Sequence, residues 1–146
     1  MLLDYGCGKG RVPVFFGSNV GCTCLGIEYD KRLYDAAVEN TAFLSSADIT
    51  FFHTDAEAFP VPDNVNRCFF FNPFGEQILR RVLDRLTDSY YEAPREILLF
   101  FYYPQDDQVA LLMTMDEIMF ADEICCTDLF PGNDQRERIL IFELTG

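Results

Sequence analysis

Short unbroken apolar runs alternate along this chain with stretches in which apolar residues recur at every third or fourth position. A run without polar alternation fits a strand covered on both faces, and the longer spacing fits a helix with one apolar stripe. The pattern predicts strands over Leu2–Tyr5, Cys22–Tyr29, Ile49–His53, Arg67–Phe71 and Glu96–Tyr103. Between them it predicts helices over Lys9–Gly17, Lys31–Ser45, Gly75–Leu86 and Gln105–Met115, with Ile118–Phe120 as an extension of the last. Pro13 suits the first turn of its helix, where no amide donor is missed. Asp30 is placed to cap the second helix, whose stripe reads Leu33, Ala36, Ala37, Asn40, Phe43 and Leu44. Two further strands, Glu123–Phe130 and Arg138–Leu144, flank the turn Pro131-Gly132-Asn133-Asp134 and must run antiparallel. Repeated strand–helix alternation implies right-handed crossovers and a mostly parallel sheet in a single α/β domain over residues 1–146.

Composition narrows the partners. The chain is 49% hydrophobic and carries a formal net charge of −13, which is globular but hostile to phosphate backbones and anionic lipid. Nucleic acid and membranes are therefore disfavoured, and a neutral or cationic small molecule or a protein is the expected substrate. There is no leader-like segment at Met1, and no apolar run nears the ~20 residues that span a bilayer. A cytoplasmic location is expected. The six cysteines form no Cys-x-x-Cys pair, and the single His53 lies far from them in sequence, so no metal site is expected.

The chemistry gathers at strand ends. Asp4-Tyr5-Gly6-Cys7-Gly8-Lys9-Gly10 places glycine at every second position behind the first apolar run. Glycine accepts positive φ and lets backbone lie against a ligand, so strand, glycine turn and helix start together suggest a nucleotide-type cofactor site. The next strands end on Glu28 and Tyr29, on Asp55 and Ala56, and on Asn72-Pro73-Phe74. In an open parallel sheet, ligands bind outside these carboxyl ends. A carboxylate at Glu28 suits ribose hydroxyls. Asp55 suits an adenine amine or, equally, a cap on the following turn. Asp4 either holds the glycine loop through its amides or meets a cationic part of the ligand. Tyr5, Tyr29, Tyr102 and Tyr103 also sit at strand ends, in the pocket or in the core.

These segments, in this order, resemble the class I S-adenosylmethionine-dependent methyltransferases. The resemblance implies a Rossmann-like methyltransferase fold: seven strands in the order 3-2-1-4-5-7-6, strand 7 antiparallel, with helices on both faces. It implies S-adenosyl-L-methionine as cofactor, bound by Asp4, Tyr5, Gly6, Cys7, Gly8, Gly10, Glu28, Tyr29, Asp55, Ala56 and Asn72. Asn72, Pro73 and Phe74 resemble the acceptor motif of amino-group methyltransferases, one proline short, and imply substrate contact with nitrogen as a candidate acceptor. Gly-x-Gly-x-Gly differs from the Gly-x-Gly-x-x-Gly of nicotinamide enzymes, which remain the weaker alternative. A cofactor-binding but catalytically silent module is the other. Family members normally carry helices ahead of the first strand. The resemblance thus implies a chain short at its front, with backbone beside the first strand unpaired unless something covers it, and exposed apolar surface that invites self-association.

Overall fold

The computed structural model describes residues 1–146. Strands β1 (Leu2–Tyr5), β2 (Cys24–Glu28), β3 (Ile49–His53), β4 (Arg67–Phe70), β5 (Ile97–Tyr102), β6 (Ile118–Cys125) and β7 (Arg138–Leu144) form one sheet. Its order is β3-β2-β1-β4-β5-β7-β6, with β7 antiparallel to both neighbours and the rest parallel. Helices α1 (Arg11–Asn19), α2 (Lys31–Thr41), α3 (Glu76–Glu92) and α4 (Asp106–Leu112) connect the strands. This is the predicted sheet order. No helix is long and apolar enough to cross a membrane.

Most boundaries shift by a residue or two from the sequence reading, and four elements differ more. Ile118–Phe120 opens β6 and is not helix, because α4 closes at Met113 and Ile118 pairs with Leu144. The segment Glu123–Phe130 is strand only to Cys125, and Thr127–Leu129 forms a 3-10 turn. Helix α2 stops at Thr41, whose hydroxyl bonds back to Ala37 and Val38 carbonyls, so Phe43 leaves the stripe and is 77% exposed. Helix α3 continues to Glu92. Its end is held by Arg95, whose guanidinium donates to the carbonyls of Ser89, Ala93, Val65 and Pro62.

The two sheet faces are covered unequally. On one, α3 buries Leu79, Val82, Leu83 and Leu86, and α4 buries Leu111 and Leu112, in one core with the alternate strand residues. That core is braced by an aromatic ladder across four strands. Tyr5 stacks on Phe70 at 4.9 Å, Phe70 on Phe101 at 4.5 Å, and Phe101 meets Phe142 edge-on. On the other face, α1 and α2 cover β1 to β3 closely. Gly17 lies over Ile49, and Gly10 lies between Phe51 and Ala37. Farther along, the same face carries Phe69, Phe100, Ile139 and Ile141 at in-register positions, all half-buried. Phe71, expected to be covered on both sides, is 55% exposed, since no helix of the chain packs over β4, β5 and β7 here.

Strand β1 is short, yet the backbone beside it is paired. The Met1 carbonyl accepts from both Asn66 and Arg67 amides, the Met1 ammonium donates to Asn66 Oδ1 at 2.9 Å, and Leu2 donates to Thr23. The backbone beside the first strand is thus covered by Met1, Asn66, Arg67 and Thr23, the condition under which no group there is left unpaired.

Candidate functional site

The loop between β1 and α1 is built on left-handed glycines: φ is +71° at Gly6, +55° at Gly8 and +82° at Gly10. Side chains at two of these positions would also collide. A Cβ on Gly6 would lie 2.4 Å from Pro73 Cβ, and one on Gly10 2.7 Å from the Phe51 ring. The first approach brings the glycine loop against the Asn72-Pro73-Phe74 segment after β4. The second seats the start of α1 on the sheet.

Glu28 ties the loop down. Its Oε2 accepts from the Gly8 amide at 2.9 Å and its Oε1 from the Asp30 amide at 2.8 Å. The loop-holding task considered for Asp4 thus falls to Glu28. Each carboxylate oxygen keeps a free lone pair for a hydroxyl. Asp30 in turn caps α2 through the Arg32 amide, as its position predicts.

Asp4 has no such partner. It is 3% exposed, and its carboxyl accepts no hydrogen bond from the protein. Burial and, secondarily, the nearby Glu28 raise its pKa from 3.8 to about 8. It borders a trough of about 370 Å³ with Gly6, Cys7, Gly8 and Lys9, walled by Arg11, Val12, Phe69 and Phe71. Burial likewise pushes the Cys7 thiol up. Lys9 and Arg11 take part in none of the chain's ion pairs. In a molecule of net charge −13, two unpaired cations on one trough are a local exception.

Other expected residues fall outside the trough. The Tyr5 ring faces the opposite side of the sheet, 1% exposed in the aromatic ladder, so only its backbone borders the site. Tyr29 is 75% exposed, and its carbonyl pairs with His53 Nε2 at 3.0 Å. Asp55 caps the 3-10 turn over Ala56–Ala58 through the Glu57 amide at 3.0 Å, and Ala56 packs on the core edge. Phe74, expected to offer a stacking face, instead turns inward and meets Tyr5 and Phe70 edge-on. The rings bordering the trough are Phe69 and Phe71, the latter tilted against Tyr102 at 4.7 Å. No group of three or more His, Cys, Asp or Glu is arranged to hold a metal ion.

Asn72 holds a left-handed backbone at φ +45°, uncommon for a residue other than glycine. It is held there by Gln108 of α4, itself 3% exposed. Gln108 Oε1 accepts from the Gln105 amide at 3.1 Å, and its Nε2 donates to the Phe74 carbonyl at 3.1 Å and to Asn72 Oδ1 at 3.3 Å. The backbone partners can only donate and only accept, respectively, so the Gln108 amide has one orientation. Asn72 therefore turns its oxygen to Gln108 and keeps Nδ2 as its free group. Sequence reasoning missed Phe71, Lys9, Arg11 and Gln108. The Gln105–Gln108 capping pair was the one visible signal for the last.

A groove of about 620 Å³ adjoins the trough and shares Arg11, Val12, Phe69 and Phe71 with it. A further cavity of about 410 Å³ lies under the amino ends of β1 and β4, around Met1, Asn66 and Arg67, away from the glycine loop.

The family profile described as "Methyltransferase domain" matches residues 2–89. No curated protein matches the chain. Magnesium protoporphyrin IX methyltransferase from Synechocystis PCC 6803, solved with bound SAM, is 14% identical with a TM-score of 0.66 over 100% of this chain and 70% of that one. The tRNA (uracil-54, C5)-methyltransferase of Pyrococcus abyssi, solved with S-adenosyl-L-homocysteine, is 15% identical with a TM-score of 0.69 over 99% of this chain and 34% of that one. The cyclase SpnF is 12% identical with a TM-score of 0.73 over 99% of this chain and 75% of that one. At these identities the likeness is one of fold, and SpnF carries a different kind of name on the same fold.

Proposed function

The chain belongs to the methyltransferase domain family, and from that premise we propose that it binds S-adenosylmethionine at the tips of β1, β2 and β4 and methylates a small-molecule or protein acceptor. When bound, this cofactor supplies a methyl group already activated on a sulfonium, so the protein's work is binding, alignment and exclusion of water. Asp4 would hold the cofactor's amino group and Lys9 its carboxylate. Gly6 and Gly8 leave room for close approach of the backbone, and Glu28 would meet the ribose. Tyr29, Asp55 and Ala56 would border the adenine side. Phe71 and Asn72 would face the acceptor.

The observation that carries this reading is Asp4. A buried carboxyl with no protein partner, opening on a glycine-lined trough, fits a cationic ligand group. Calorimetric titration with S-adenosylmethionine and S-adenosylhomocysteine tests it, with NAD as comparator. Binding of both adenosyl ligands, weakened by Asp4→Asn, is expected. Silence towards both, or a preference for NAD, removes the proposal.

A further inference from the structure

We infer that the groove beside the trough takes the apolar body of a small carboxylic acid, presented with its carboxylate at Arg11 as the methyl acceptor. The inference rests on the methyltransferase reading and names the acceptor class for the same site. Three independent features point to it.

The first is shape and continuity. Phe69, Phe71, Tyr102, Leu129, Phe130 and Ile139 line the groove, and Arg11 is its sole charged residue. Phe71 and Arg11 wall both spaces, so a molecule lying in the groove reaches the trough without crossing a ridge. Leu129 and Phe130 are 72% and 45% exposed at the outer rim. The loop bearing them is pinned to the tip of β5: Tyr102 Oη donates to Glu137 and Tyr103 Oη to Asp134, each at 2.5 Å. Tyr103 sits at φ +51° to allow this. The groove wall is thus held in place before a ligand arrives, which lowers the ordering cost of binding.

The second is charge. Arg11 stands unpaired at the junction in a strongly acidic chain. An apolar groove with one free guanidinium matches an apolar anion and disfavours a cationic amine.

The third is the absence of a base. In the loaded protein Asp4 is engaged by the cofactor's amino group, burial pushes the Cys7 thiol up and keeps it protonated, and His53 lies on the other side of β2 against Tyr29. An amine or alcohol acceptor must lose a proton to a neighbour, whereas a carboxylate has none to lose. A lone pair of the carboxylate oxygen forms the new O–CH3 bond while the S–CH3 bond of the sulfonium breaks. That bond's electron pair stays on sulfur as a neutral thioether, and the product is a methyl ester. No proton moves.

The test uses the whole chain with S-adenosylhomocysteine in excess, titrated with phenylbutanoate and its isosteres phenylbutylamine and phenylbutanol. Phenylbutanoate is expected to bind about tenfold tighter than either isostere, the worth of one charge-assisted hydrogen bond. Phe71→Ala should weaken all three together. Arg11→Gln should lower the acid to the level of the alcohol, and Arg11→Lys should restore part of the difference. With S-adenosylmethionine the acid should acquire a methyl group released by mild base. If S-adenosylhomocysteine binds but the amine binds as tightly as the acid, the acceptor class is wrong and the methyltransferase reading stands. The acceptor class also falls if Arg11→Gln leaves the acid-to-alcohol ratio unchanged. It falls again if the chain is a dimer that Phe71→Ala dissociates and phenylbutanoate does not, because a second copy then fills the groove. If S-adenosylhomocysteine itself fails to bind, both readings fall.

Discussion

Replacing Asp4 by Asn should make the ligand-free protein more stable at neutral pH while weakening its cofactor binding. The folded state holds the Asp4 proton with a pKa of about 8, against 3.8 for an ordinary aspartate. The unfolded chain therefore loses this proton first as pH rises. Stability is greatest below pH ~4 and is lost progressively up to pH ~8, where the folded carboxyl also ionises. At 1.36 kcal/mol per pKa unit, the loss reaches about 4 kcal/mol at pH 7. For a chain of this size that is a Tm difference of roughly 10 °C. Asparagine keeps the shape of the protonated acid but has no proton to lose, so it escapes the loss. Thermal unfolding of both proteins from pH 4 to 9 checks this. The two Tm values should nearly coincide near pH 4 and diverge in favour of the Asp4→Asn variant up to pH ~8, then run parallel. The difference isolates Asp4, since every other group titrates in both proteins. In parallel, S-adenosylhomocysteine affinity should drop about 10- to 100-fold in the variant, the usual worth of a charged hydrogen bond. A variant less stable than the parent at pH 7, or a gap that does not change with pH, would refute the argument that Asp4 is a strained carboxyl kept for a ligand.

Other substitutions probe the parts that shape the site. Gly6→Ala meets both a φ of +71° and the Pro73 Cβ at 2.4 Å. It should cost at least ~2 kcal/mol in urea unfolding and abolish adenosyl-ligand binding, because the loop and the segment after β4 must separate. Glu28→Gln removes one of the two acceptor oxygens serving the Gly8 and Asp30 amides. A loss of about 1–3 kcal/mol, with weaker S-adenosylhomocysteine binding by calorimetry, is expected. Gln108→Leu fills a similar volume but frees Asn72 and the Phe74 carbonyl. Stability should fall by about 1–3 kcal/mol, and turnover should fall with S-adenosylhomocysteine affinity little changed, because the network orients the acceptor side of the site.

The strand order is legible in the sequence because buried parallel strands are written as apolar runs, and Asp30, Gly10 and Glu28 each announce a strand end or helix start. What stays hidden is polarity between distant segments. Asp4 and Glu28 are both acids at strand ends, and only the folded geometry shows that Glu28 holds the loop while Asp4 holds nothing. Phe69, Phe70 and Phe71 read alike, yet Phe70 is core and Phe71 a pocket wall, since the helices cover one face of β4 and leave the other open. Strand β6 resists reading for a related reason. It is an edge strand, buried only at Ile118, and a bulge between Phe120 and Asp122 breaks its alternation. The place of Tyr5 in the motif points its ring to the ligand, whereas the pleat turns that ring to the far side.

Pairing of β1 with both β2 and β4 has a consequence for synthesis. Leu2 must find Cys24 on one side and Arg67 on the other. On the ribosome, β1 thus waits with one flank bare until more than sixty further residues have emerged. β5 then waits in turn for β7, which follows α4 and β6 in the chain. Contacts this distant in sequence form slowly and leave sticky intermediates behind them. Slowing translation after β2 should therefore lengthen the exposure of the nascent β1 edge, and the yield of folded protein should track chaperone supply at that stage more than any later one.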